Sequence, residues 1–272
     1  MTLNAGRGRR ITDSFLTDEY AVVVAQDRRE ERPSVATVVV LESGTRLVVD
    51  GSSDVPTTTG GTWALGRDSG GISVLLHATY GAKRAYCLAE VELPAGTGRQ
   101  MWCAPARHGF TDARVTRWGT SLLTFDDAQP SCRTVATMVD DRPEAFPDAT
   151  ECRGWDGVVL DGSRVWSVVT KERRIEASRY YASVGDTVYD LGPGITGSLT
   201  ECAGAAFFAR DPAATGDPAQ LLRWTPDGRL SVVYQSPVRR EAAVAAPRCG
   251  GDALTVSSLN DERDELVTAL LE

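Results

Sequence analysis

The strongest constraint on the fold is a repeat of apolar, strand-length runs along all 272 residues. No segment shows a helical stripe of period 3.6 with caps before the last dozen residues, so the pattern predicts an almost all-β chain. The centres of successive runs lie about 46 residues apart on average. The six runs, each bounded by clusters of Gly, Pro, Asp and Ser, are YAVVVAQ (20–26), ISVLLHAT (72–79), TSLLTF (120–125), RVWSVVT (164–170), AAFFAR (205–210) and ALTVSSL (253–259).

Each run also has the same neighbours. A short strand and a tight polar turn precede it, a charged loop follows it, and two further strands joined by a Gly- or Asp-containing turn complete the repeat. A repeat of this length with four strands matches one propeller blade. We therefore expect an all-β, six-bladed β-propeller of four-stranded antiparallel blades, in a single domain covering 1–272. The predicted blades are 11–50, 60–104, 110–150, 153–191, 195–235 and 241–272.

The sixth repeat offers only three strands, the last of them at 265–271 (ELVTALL). A closed propeller leaves no exposed sheet edge when the other end of the chain supplies the missing strand. Residues 1–10 are therefore the candidate closing strand. The alternative is that the Glu/Leu pattern of the last residues forms a terminal helix.

The six cysteines favour three disulfides. The chain has no CxxC pair and only two histidines, so no metal site is expected. Cys87 and Cys103 lie at equal distances from the turn at 94–98, which places them opposite each other on paired strands. The other predicted bridges staple neighbouring blades. The pairs are Cys87–Cys103, Cys132–Cys152 and Cys202–Cys249; the alternative is a cytosolic protein with six free thiols.

Disulfides indicate an oxidising compartment. The first residues, MTLNAGRGRRITDSF, lack the apolar region of a signal peptide, so we expect that a signal peptide or anchor has been removed. No run approaches the roughly 18 apolar residues of a membrane span. The expected location is secreted or extracytoplasmic, with attachment to the cell envelope compatible with the sequence.

Charge and motifs exclude several classes. The net charge of −8 and a pI near 5 argue against nucleic-acid binding. Glycine motifs for phosphate or dinucleotide binding and GxSxG are missing, so no cofactor is expected. Only two of the 29 basic residues are lysine.

The repeat resembles extracytoplasmic six-bladed β-propellers of the TolB-like or NHL-like kind. The Arg-rich, Lys-poor composition is similar to that of actinobacterial secreted proteins or lipoproteins. The resemblance rests on architecture, because no WD, kelch or Asp-box signature is present. Propellers of this shape include partner-binding modules, sensor ectodomains, lactonases, lyases and glycosidases, so the resemblance implies a fold and leaves the activity open.

Five residues are candidates for a ligand site at the mouth of the predicted central channel. His108 precedes Asp112 and Arg114, and a His near a carboxylate suits a general base or a ligand contact. Asp156 and Glu201 lie on or beside further innermost strands, as an acid pair for hydrolysis requires. The alternatives are a surface His with a strand-edge salt pair, and coincidence among 37 acidic residues.

We expect a monomeric binding or sensing module that engages a protein or cell-envelope ligand. The alternative is a hydrolase or lyase acting at the channel mouth. The middle-hairpin loops are basic in blades two and four and mostly acidic in blades three, five and six, and such separated charge favours a protein partner. The alternative is that these are solvated loops that keep a secreted protein soluble. Trp102, Trp118 and Trp224 are candidate exposed anchors, whereas Trp63, Trp155 and Trp166 are expected between blades. The basic loop residues of blades two and four are Lys83, Arg84, Lys171, Arg173 and Arg174.

Overall fold

A computed structural model describes residues 3–147, 152–171, 174–237, 242–260 and 264–271. The described chain consists of β-strands and one short 3-10 helix, and it contains no α-helix. The strands form six four-stranded antiparallel sheets, which are the blades of a six-bladed β-propeller. The predicted fold class is therefore confirmed.

Contacts divide the chain into two compact units, Met1–Gln129 with Met138–Pro143, and Pro130–Thr137 with Glu144–Glu272. The single-domain assignment stays a prediction. Blades one and two and most of blade three belong to the first unit. Their strands are β1 (Arg9–Leu16), β2 (Tyr20–Asp27), β3 (Val35–Val40), β4 (Arg46–Val49), β5 (Trp63–Arg67), β6 (Ser73–Tyr80), β7 (Tyr86–Glu92), β8 (Gly98–Cys103), β9 (His108–Thr116), β10 (Gly119–Asp126), β11 (Gln129–Val139) and β12 (Arg142–Ala145).

Blades four, five and six belong to the second unit. Blades four and five each run in simple sequence order from the first strand to the fourth. The strands are β13 (Gly154–Leu160), β14 (Ser163–Lys171), β15 (Arg174–Val184), β16 (Thr187–Ile195), β17 (Thr200–Cys202), β18 (Ala205–Arg210), β19 (Gln220–Thr225), β20 (Arg229–Gln235), β21 (Ala242–Val244), β22 (Arg248–Gly250), β23 (Ala253–Asn260) and β24 (Asp264–Leu270).

The core lies between the faces of successive blades. In the first unit, Val24 of blade one and Leu75 of blade two belong to one buried cluster. In the second unit, Leu221 of blade five packs with Val244 and Val256 of blade six. Central strands that pack against neighbouring blades within a unit are apolar on both faces, which explains their near-continuous Val, Leu and Ala runs.

Blade six differs from the other five. Its short strands β21 and β22 pair with different parts of the same neighbour, β23, so they are two halves of one interrupted strand. β24 pairs with the opposite edge of β23. Blade six therefore has four strands in only three ranks, a rank being a strand position counted from the innermost to the outermost strand of a blade. The sequence predicts this shortage of one rank. The helical alternative for the last residues is wrong, because β24 is a strand.

The first residues of the chain correct part of the closing-strand prediction. Arg9 and Arg10 pair with Asp27 and Gln26 and so open β1 of blade one, which makes the closing role wrong for these two residues. Residues 3–8 belong to no strand. For residues 1–8 the closing role stays a prediction.

All three predicted disulfides are formed: Cys87–Cys103, Cys132–Cys152 and Cys202–Cys249. The first joins directly opposed residues of β7 and β8, as its spacing around the turn predicts. The register shifts by one residue between Leu88 and Ala89, a bulge that the spacing does not reveal. The third bridge joins the innermost strands of blades five and six.

Candidate functional site

His108 is exposed at the start of β9, opposite Asp126 on β10. Its Nδ1 lies 3.0 Å from the carbonyl oxygen of Ala106, which can only accept, so this nitrogen donates. The imidazole therefore bonds to its own loop. A role for His108 in ligand binding stays a prediction.

Asp112 and Arg114 form an ion pair at a bulge in β9. The register shifts there, and Asp112 adopts a left-handed conformation with φ of 50°. An Nη of Arg114 lies 3.3 Å from an Oδ of Asp112. Between them, the amide of Ala113 donates to Oγ1 of Thr62 at 2.8 Å, which ties blade three to the start of blade two. The pair thus belongs to the local geometry of the bulge.

Asp156 lies in the second unit and is completely buried in β13. One carboxylate oxygen accepts from the hydroxyl of Ser167 on the neighbouring strand β14, and the other accepts from the amide of Leu199 at 3.2 Å. Leu199 immediately precedes β17. Asp156 thus connects blade four to the segment that enters blade five, and a buried carboxylate needs such partners to be tolerated.

Glu201 lies on β17, where its Oε1 accepts from the amide of Gly204 at 2.9 Å. Ala203 and Gly204 both have positive φ, so they form the tight turn between β17 and β18. Glu201 closes this turn. Within the residues that the structure describes, no group of three or more His, Cys, Asp or Glu side chains is placed to hold a metal ion.

The basic loop of blade two is a short 3-10 turn at Ala82–Arg84, where Lys83 and Arg84 adopt φ near 60°. In blade four, Arg173 lies outside the described residues, and β14 and β15 end and begin at its neighbours Lys171 and Arg174. A role for these loops in binding stays a prediction.

One predicted aromatic anchor is wrong. Trp224 is 1% exposed, and its indole N–H donates to Oγ of Ser163 in blade four at 3.2 Å. The alternation of β19 turns this ring toward blade four, although its position near a strand end indicated exposure. Trp63 and Trp166 are buried, as predicted.

His77 is completely buried in β6, stacked on Trp63 with ring centroids 5.2 Å apart. Its Nδ1 donates to the carbonyl oxygen of Ala78 at 2.9 Å, and its Nε2 has no hydrogen-bond partner in the part of the chain that the structure describes. Burial lowers the pKa of this imidazole, because a charged ring would lose its hydration. His77 is therefore a neutral core residue.

The sequence reasoning missed a groove on the outer strands of blade five. It has a volume of about 480 Å³ and combines two arginines with two hydroxyl side chains. The alternation of QLLRWT (220–225) around a buried Trp224 is the signal that could have placed Arg223 on the opposite face. The lining residues are Arg223, Thr225, Pro226, Asp227, Arg229 and Ser231.

Exposed apolar side chains mark two outer strands of the second unit. On β20, Val232 and Val233 are 46% and 45% exposed. On β24, Leu266 and Leu270 are 70% and 81% exposed. Residues four apart on a strand share a face, so the two leucines project from the same side of β24.

No family model and no curated protein matches the sequence. Solved structures do match. An acylaminoacyl peptidase from Pyrococcus horikoshii is 12% identical, with a TM-score of 0.61 over 96% of this chain and 45% of its own. A puromycin-hydrolyzing peptidase from Mycobacterium tuberculosis is 9% identical, with a TM-score of 0.55 over 96% of this chain and 51% of its own.

The TolB protein of Acinetobacter baumannii is also similar, at 15% identity and a TM-score of 0.48, over 85% of this chain and 56% of its own. That score is too low to support an argument about function. The chain spans about half the length of the two peptidases. At these identities the likeness shows the fold alone. No helix among the described residues is long and apolar enough to cross a membrane.

Proposed function

We propose that this β-propeller is a protein-binding module that acts outside the cytoplasm without a cofactor. The observation that carries the proposal is the exposed apolar face of β24, where Leu266 and Leu270 project into solvent. β24 is also the last strand of its sheet, so its outer backbone groups have no partner strand in the described chain. Exposed apolar side chains on an open edge favour aggregation unless a partner covers them.

The cysteines support the proposed compartment. All six are paired, and stable disulfides are rare in reducing compartments. The third bridge joins Cys202 of blade five to Cys249 of blade six, and these two cysteines are 47 residues apart in the sequence. Three disulfides support a protein that folds and works in an oxidising environment.

The hydrolase or lyase alternative has less support. Two of its candidate groups, Asp156 and Glu201, accept hydrogen bonds from backbone amides that organise strand entries and turns. Catalytic carboxylates need a face toward substrate and a pKa suited to proton transfer. Asp156 has no exposed surface at all.

The test uses the disulfide-bonded protein as bait in detergent-solubilised envelope fractions of the producing organism, with a cross-linker. The double variant Leu266→Glu/Leu270→Glu places charge on the β24 face. The matched control Val48→Glu places charge on β4, the outer strand of blade one, at a side chain that is 49% exposed. We expect the double variant to retain at least about tenfold less partner, because buried charge at an interface is strongly unfavourable.

Two results would overturn the proposal. Equal retention by wild type and the double variant would show that the β24 face binds nothing specific. Turnover of an envelope peptide or glycan that disappears in Glu201→Gln, with partner retention unchanged by every variant, would support the enzymatic alternative.

A further inference from the structure

The two faces of β19 look toward different blades. Trp224 contacts blade four through Ser163 and lies 5.4 Å from the ring of Tyr189. Leu221 faces the other way, into the buried cluster that contains Leu254 of blade six. Successive side chains of a strand alternate, so Arg223 shares the face of Leu221 and looks toward blade six.

That face is only partly covered, since Leu221 is buried, Arg223 and Thr225 are half-buried and Arg229 on the next strand is exposed. The covered part ends near Tyr234 of β20, whose hydroxyl lies 3.4 Å from the carboxylate of Glu265 on β24. Farther along the same strands, Arg223 pairs with Ser231 and Thr225 pairs with Arg229. These four side chains line the groove described above.

Within the described chain, the side chain of Arg223 has an unpaired hydrogen-bond donor, its Nε. Its Nε is shielded from solvent and has no hydrogen-bond partner among the residues that the structure describes, although the side chain is only half-buried. The chain has 37 acidic residues and 29 basic ones, yet no described carboxylate accepts a hydrogen bond from this Nε. A shielded, unbonded N–H of a charged group costs free energy, and a ligand carboxylate would recover it.

The second arginine of the groove is available as well. Arg229 has 78% of its side chain exposed, and its Nε lies 3.9 Å from an Oδ of Asp227. The hydroxyl of Thr225 donates to the other Oδ of Asp227, and this bond lowers the pKa of the carboxyl group. One charged carboxylate therefore faces two guanidinium groups, which leaves the groove positive in a chain of net charge −8.

We propose that this groove binds the carboxylate side chains of an extended acidic segment of a partner protein. β20 is the last strand of blade five, so its outer backbone edge is open to strand addition by that segment. Guanidinium groups accept carboxylates in bidentate geometry, which fixes the register of the added strand. The proposal rests on the proposed function, because it takes the partner to be a protein.

The test titrates the disulfide-bonded protein with two fluorescent nine-residue peptides, one alternating Glu and Val, the other alternating Lys and Val. We expect binding of the acidic peptide alone, together with hydrogen-exchange protection of the β20 amides. The double variant Arg223→Gln/Arg229→Gln should bind about tenfold more weakly. The matched control Arg46→Gln, at an exposed arginine on the outer strand β4, should bind as the wild type does.

Arg229→Gln alone changes only an exposed side chain, so it reports on the groove even if the double variant unfolds. An unaltered affinity in Arg229→Gln and in the folded double variant would overturn the proposal. Equal binding of free glutarate would reduce the groove to a small-anion site. Binding of phosphatidylglycerol vesicles in place of the peptide would assign it to a membrane surface. Either result would also overturn it.

The two proposals fail separately. If wild type and Arg223→Gln/Arg229→Gln retain the envelope partner equally, the proposed protein-binding function is still supported. The proposal that the groove binds an acidic segment is then wrong. The opposite outcome is that the arginine variants weaken binding of the acidic peptide while Leu266→Glu/Leu270→Glu retains the partner fully. The groove proposal is then supported, and the proposal that the β24 face binds the partner is wrong.

Discussion

Blade two and blade six contain strands of similar apolar content that differ in burial. In blade two, the first seven residues of β6 (Ser73–Tyr80) are buried, and they include both a histidine and a threonine. In blade six, most residues of β24 (Asp264–Leu270) are exposed, although three of the seven are Leu or Val. Composition therefore does not decide which strand is buried.

The difference lies in the rank of each strand within its sheet. β6 has β5 and β7 on its two edges, whereas β24 has only β23. A strand in the interior of a blade is covered on both faces and paired on both edges, so its side chains contribute packing energy. An outermost strand such as β24 keeps an open edge, and its side chains stay largely exposed.

The largest expected difference between the two blades is the effect of removing one leucine side chain from each. Leu76→Ala in β6 should lower the free energy of unfolding by about 2–5 kcal/mol, because Leu76 is completely buried. Leu266→Ala in β24 should change it by less than about 0.5 kcal/mol. Urea unfolding followed by tryptophan fluorescence measures both. Equal losses would show that β24 is packed in solution.

The disulfides provide the next comparison. Replacing Cys202 and Cys249 by Ala should cost about 1 kcal/mol more than replacing Cys87 and Cys103, because the closed loops span 47 and 16 residues. Each removal should cost about 2–5 kcal/mol in all. Urea unfolding of the two double variants tests the order. Intact mass should show that the wild type is six hydrogens lighter than its reduced form, and an unchanged mass would contradict the disulfides themselves.

The smallest expected effect is a difference between His77 and His108 in how their substitution changes the pH dependence of stability. Burial lowers the pKa of His77, so the unfolded chain takes up a proton near the ordinary histidine pKa of 6.5, whereas the folded chain does so only at a lower pH. This contribution to stability is complete above pH 6.5 and is lost as the pH falls below it, by at most about 1.4 kcal/mol per pH unit. Unfolding at pH 7.5 and 5 should show a smaller loss in His77→Gln than in the wild type. The exposed His108→Gln is the control, and it should behave as the wild type does.

Much of the fold is readable from the sequence because it depends on local patterns. Strand-length apolar runs with polar turns identify the blades, and the spacing of Cys87 and Cys103 around one turn identifies their bridge. The count of strands in the last repeat also identifies blade six as one rank short. These features depend on residues close together in the chain, or on a repeat that recurs at a nearly constant interval.

The roles of individual side chains were harder to predict. The sequence placed Trp224 near a strand end and indicated exposure, but the ring packs against blade four. It also marked Asp156 as a candidate for chemistry, yet Asp156 is buried among structural hydrogen bonds. In both cases one hydrogen-bond partner of the side chain lies outside its own blade, 43 positions away for Asp156 and 61 positions away for Trp224.

The sequence by itself therefore determined the all-β class, the number of blades and the cysteine pairing, because turn chemistry and alternation are local. Only the tertiary structure decided that Arg223 faces a groove while Trp224, one residue later, is buried. The alternation within QLLRWT (220–225) separates the two side chains onto opposite faces, but which face is covered depends on side chains of other blades that lie outside this segment.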